Sequence, residues 1–238
     1  MRNRILPTLA TIAASVGLLA LGMAQAPLAF SAAIAIDPNH LPAASPGFLV
    51  VISEPGSYRL TGNLTVPDAN TTAIEINADN VSIDLGGFAI LGPAKCSSPP
   101  VSCLPTGTGN GVHVVYRDNI AVSNGSIRGM GNYGLYLETR SGRIDKVDLV
   151  SNGGGGALLF GGVISDSSAE ANGGAGVFGL DITVRGNLIR NNQHFGLEAY
   201  GLSAYANNRL SGNNNNAAQV NRTPTQGGRN QCKAADCP

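Results

Sequence analysis

The sequence predicts an all-β solenoid, and three observations carry that expectation. First, a small residue followed by alternating apolar positions returns as GVHVV at Gly111, GLYLE at Gly134, GALLF at Gly156, GVFGL at Gly176, GLEAY at Gly196 and AAQVN at Ala217. The separations of 23, 22, 20, 20 and 21 residues are regular and too short for a repeat that holds a helix beside several strands. One repeat is therefore one coil. Second, two apolar columns stand at fixed offsets before these starts: Ile127, Leu149, Ala169, Ile189 and Leu210, and further back Val122, Ile144, Ile164, Val184 and Tyr205. Third, four positions before each start stand Met130, Asn152, Asn172, Asn192 and Asn213. Such a column predicts an asparagine ladder, because each amide can bond the backbone and its neighbour in the next coil, and Asn tolerates the left-handed bend of a turn.

In chain order, residues 1–33 read as a secretory signal peptide. Arg2 and Arg4 precede an apolar run from Leu9 to Leu21, and small residues at Ser31, Ala32 and Ala33 suit cleavage; Pro27 disfavours a cut at Ala26. The protein is expected to be secreted, with no membrane insertion after cleavage. Residues 34–72 read as a lead-in followed by N-terminal capping strands, with FLVVI and SYRL flanking the turn Glu54-Pro55-Gly56. The coils occupy 73–217, because Ile74 and Ile76 align with Val112 and Val114, and Asp79-Asn80-Val81 aligns with Asp118-Asn119-Ile120. That predicts about seven coils, interrupted by a proline-rich excursion over 93–110. Residues 218–238 read as a tail lying over the upper end.

Cys96 with Cys103 and Cys232 with Cys237 form two local pairs, which in an exported chain predict two small disulfide loops. Neither pair carries a neighbouring His or a CxxC partner, so no metal site is expected. Gly accounts for 32 of 238 residues, Trp is absent and net charge is zero. Without a basic cluster there is no electrostatic footprint for nucleic acid or for anionic membrane.

The segments PGSYRLTGNLTV and NVSIDLGGFAILG, the asparagine column and the ending NQCKAADCP resemble the right-handed parallel β-helix repeat proteins that bacteria secrete, relatives of the pectate lyase superfamily. The resemblance covers Phe48 to Pro238 and implies a single right-handed parallel β-helix. It is unspecific for activity, since similar proteins include polysaccharide lyases, glycoside hydrolases, esterases and epimerases as well as members with no assigned chemistry.

Function turns on the strand after each start. Alternation places Val112, Val114, Leu135, Leu137, Leu197 and Ala199 inside. The first outward column is then Glu75, His113, Tyr136, Leu158, Phe178 and Glu198, and the second Asn77, Val115, Glu138, Phe160, Leu180 and Tyr200. A uronate lyase or epimerase needs a base for the proton α to the carboxyl, an acid for the leaving oxygen and a cation, Ca²⁺ or a side chain, at the carboxylate. His113, Tyr136, Glu138 and Arg140 are the residues available for such work. Adjacent aspartates, Gly-His-Gly and Asp-Pro-His are all missing, so a non-catalytic reading leads and a cofactor is not expected. Glu75, Phe160, Phe178, Glu198 and Tyr200 then form a binding strip, with aromatic rings for sugar faces and carboxylates for hydroxyls. A polysaccharide or a cell-surface component is the expected partner. The apolar patch of Leu158, Phe160, Phe178 and Leu180 also suits self-association, unless the tail or the excursion covers it.

Overall fold

The computed structural model of the chain describes residues 32–41, 45–97, 100–221, 224–233 and 237. The signal-peptide reading rests on residues 1–33, so all but its last two positions fall outside the described residues.

Each coil contributes up to three short strands, and each strand pairs in parallel with the equivalent strand of the next coil, so the chain builds three columns. The first column runs from Phe48–Ile52 through Thr72–Ile76, Val112–Val115 and the opening halves of Leu135–Val150, Ala157–Ser165 and Val177–Arg185 to Leu197–Tyr200. A bridge from Leu197 to Val220 closes it. The second column begins at Ile34–Ile36 and Gly56–Leu60 and ends at Ala204–Ala206 and Thr225–Gln226. The third runs from Leu64–Thr65 and Ala89–Leu91 to Arg209–Ser211 and Gln231–Cys232.

The stack is about nine coils deep rather than the expected seven. Both additional coils precede Ala73: Val50 pairs with Ile74 and Tyr58 with Ile83, and Ile34 lies in register beneath Tyr58. They escape the repeat pattern because Leu49 stands where later coils start with a small residue, and because no asparagine marks their turn. The described residues after Ala217 form strands of a further coil instead of a tail over the upper end, with Thr225 beside Ala204 and Leu210 beside Cys232.

Alternation buries every second side chain in one continuous apolar core, from Ile36 through Ile74, Val112, Leu135 and Leu159 to Tyr205 and Val220. The small residue that opens each coil is fixed by close approach. A Cβ at Gly176 would stand 2.7 Å from the carbonyl oxygen of Gly196 and 2.7 Å from Nδ2 of Asn192.

The asparagine ladder is present and fully buried at Asn152, Asn172, Asn192 and Asn213. Asn152 donates from its backbone N–H and its Nδ2 to Oδ1 of Asn172, both at 3.0 Å, and Asn172 repeats this toward Asn192 at 3.0 and 2.8 Å. Each Nδ2 donates a second bond to a third-column carbonyl, as from Asn172 to Leu149. The left-handed bend, however, sits one residue before the ladder, at Ser151, Ala171 and Asn191, so the asparagines are selected for their amides alone. A second ladder, Asn187, Asn208 and Asn230, runs along the turn between the second and third columns. It was hidden in the sequence because the lower coils carry Ser167 and Val147 at its offset.

Both disulfides form, Cys96 with Cys103 and Cys232 with Cys237. In the excursion, Lys95–Cys96 and Cys103–Leu104 make an antiparallel pair. It lies along the asparagine turn: Gly107 donates its N–H to Gly131, and Sγ of Cys103 is 3.7 Å from the carbonyl oxygen of Asn152.

Candidate functional site

The outward side chains of the first column form one strip, because a strand that buries Val112 and Val114 must turn His113 and Val115 away from the core. Register then sets their neighbours. His113 pairs with Glu75 below and Tyr136 above, and the column continues through Leu158 and Phe178 to Glu198. At about 4.8 Å per coil the strip is roughly 24 Å long from Glu75 to Glu198.

Its lower half is polar. Nδ1 of His113 lies 2.6 Å from Oε2 of Glu75, with both groups largely shielded from solvent. The imidazole leans on Tyr136, with ring centroids 5.0 Å apart, and Tyr133 meets the same phenol edge-on at 5.9 Å. Tyr136 donates its hydroxyl hydrogen to Oε1 of Glu138 at 2.6 Å. That bond, with burial and the Glu138 charge added, pushes the Tyr136 phenol up to about 12.

The upper half is apolar and aromatic. Phe160 and Phe178 stand 6.5 Å apart and Phe178 and Tyr200 6.0 Å, with Leu158 nearly buried and Leu180 41% exposed between them. Tyr200 donates to Oε1 of Glu198 at 2.9 Å, repeating the Tyr136–Glu138 arrangement at the other end of the strip.

Three of the four candidate catalytic residues, His113, Tyr136 and Glu138, are brought together. Arg140 is not on the strip. It lies on the adjoining turn in a two-pronged pair with Asp118, Nε at 3.0 Å and Nη2 at 2.6 Å, which holds the Asp118 carboxyl below the usual carboxylate range. In chemical terms His113 is tied to a carboxylate and Tyr136 keeps its proton through the whole neutral range. The guanidinium that would meet a uronate is occupied by Asp118. The five binding candidates, Glu75, Phe160, Phe178, Glu198 and Tyr200, share the one face, and the bridge from Leu197 to Val220 carries that face one coil further. Among the described residues no group of three or more His, Cys, Asp or Glu side chains is placed to hold a metal ion.

A groove of about 710 Å³ runs beside the strip, lined by Tyr116, Arg117, Glu138, Phe160, Leu180 and Asp181. Sequence reasoning passed over Tyr116 and Leu202, which are 84% and 94% exposed. The signal was present, since a large apolar side chain at the end of a coil strand falls on the turn, where Tyr116 takes φ of 55°.

Neither a curated protein nor a solved structure matches the chain. Residues 110–220 match the family model described as the right handed beta helix region. With three parallel columns stacked in register and an asparagine ladder along one turn, the described residues fold as the right-handed parallel β-helix that this family model describes.

Proposed function

We propose that this is a secreted carbohydrate-binding protein that lays an extended glycan along the outward face of its first column. The β-helix fold in general suits a carbohydrate-related or surface-binding role. The observation that carries the finer reading is the run Phe160, Phe178 and Tyr200 with Leu158 and Leu180, closed at each end by a Tyr–Glu pair. Aromatic and aliphatic faces at successive coils suit the apolar faces of pyranose rings, and carboxylates beside them suit sugar hydroxyls. Secretion is supported by two disulfides, which persist in oxidising compartments. No helix among the described residues is long and apolar enough to cross a membrane.

The test is a glycan array followed by titration calorimetry on the best binder. Phe160→Ser combined with Phe178→Ser should leave the circular dichroism spectrum unchanged and weaken binding by roughly tenfold to a hundredfold. Unchanged affinity in this variant would rule out the strip, and a change of oligomeric state instead would assign the patch to self-association. A panel of uronate polysaccharides, followed for unsaturated products with and without calcium, addresses the catalytic alternative; turnover abolished by His113→Ala would replace the binding reading.

A further inference from the structure

We infer that the strip selects an amino-sugar polymer, a glycan bearing protonated amines, over neutral or uronate chains. This deepens the glycan-binding reading above and rests on it. The argument is charge complementarity on a face whose centre suits sugar rings. The two outward columns contain three carboxylates, Glu75, Glu138 and Glu198, and neither a Lys nor an Arg. Glu75 is matched by His113, but among the described residues Glu138 and Glu198 have no ion-pair partner. Each accepts a tyrosine hydroxyl at Oε1, which fixes the carboxylate without neutralising it, and Oε2 has no partner among the described residues.

The flanking turn does not reverse this. Arg140 is consumed by Asp118, and Arg117 shares the groove with Glu138 and Asp181, so the groove carries no net positive charge. Glu138 and Glu198 lie three coils apart, about 14 Å. Between them stand Phe160 and Phe178, so a ligand spanning the face meets a carboxylate, ring faces, and a carboxylate again. A uronate chain would bring like charge to both poles with no cation to receive it. An extended basic peptide supplies the charge but has no ring face for the centre.

The experiment is titration calorimetry on the full chain at mildly acidic pH, with oligomers of equal length made of glucosamine, N-acetylglucosamine, galacturonate and lysine. The glucosamine oligomer should bind about tenfold tighter than its acetylated counterpart, the galacturonate oligomer weakest of the sugars, and the preference should shrink as salt is raised. Glu138→Gln with Glu198→Gln should bring the ratio of the two hexosamine affinities close to one, and an unchanged circular dichroism spectrum reports that the chain is folded. Equal affinity for both hexosamine oligomers, a preference that survives the double substitution, or oligolysine competing as well as glucosamine would each overturn the inference while leaving glycan binding intact. Binding of none of the sugars would remove the reading beneath it as well.

Discussion

At the scale of single residues, the ladder concentrates the largest effects. Asn172 accepts from both nitrogens of Asn152 and donates to Leu149 and Asn192, all in a region closed to water. Asn172→Ala strands several of these groups at once, and should cost about 3 kcal/mol in denaturant unfolding, well above an exposed Asn such as Asn39. Tyr136 offers an electrostatic counterpart. Its folded value of about 12 exceeds the ordinary phenol value near 10. The folded chain therefore holds this proton more tightly than the unfolded chain. The resulting stability is complete below about pH 10 and is lost as pH rises toward 12. Ultraviolet titration of tyrosinate should include a late step from Tyr136, and Glu138→Gln should bring that step down, because the bond to Glu138 is the largest cause of the shift. The buried identity of the ladder asparagines was legible in the sequence, since amides at a fixed offset have few other uses. The backbone bend was not, because at Ser151 and Ala171 it falls on residues with no intrinsic preference for the left-handed region.

At the scale of the strand and its turn, spacing between coils governs what is allowed. At the five coil starts from Gly111 to Gly196, neighbouring atoms leave no room for a methyl group. Gly176→Ala, which drives a Cβ against Gly196 and Asn192, should cost about 1–3 kcal/mol in thermal unfolding even though its φ is permissive. The inward columns could be read from the sequence residue by residue, because period two in a strand maps directly onto in and out. Their outward counterparts could be placed but not interpreted. That Glu138 bonds Tyr136, and Glu198 bonds Tyr200, depends on rotamers that no spacing encodes. Arg140 illustrates the limit most plainly. Its position two residues after Glu138 suggested the strip, yet the chain turns there and delivers the guanidinium to Asp118 one coil below.

For the whole molecule, stability is a sum of coil-to-coil contacts, so damage at an end should stay at that end. Cys232, which packs against the core, is joined to Cys237 in the last coil. Cys232→Ser with Cys237→Ser should speed amide exchange in Thr225–Gln226 and Gln231–Cys232 while leaving protection at Leu135–Val150 unchanged. Loss of protection throughout would mean that the coils unfold as one unit. The number of coils was underestimated because the repeat was recognised by its most regular members. The first two coils meet the same core with a different opening residue, and only pairing in space reveals them.

Gln219 bears on how such a chain could change length. Every amide in the main ladder points the same way, each one giving hydrogens to its neighbour toward the C-terminus, until Gln219 receives both from Asn213 and turns its own Nε2 back to Asn213 and Ala217. At the opposite end, the N–H of Met130 gives to Asn152 and no amide follows. The column thus has a dedicated starter and a dedicated stopper, and every unit between them presents identical chemistry to both sides. Duplication or loss of one interior unit of 20 residues, such as that from Gly156 to Ala175, leaves both terminators satisfied. The recognition face then behaves as a gauge whose reach is adjustable in steps of about 4.8 Å, independently of what holds its ends.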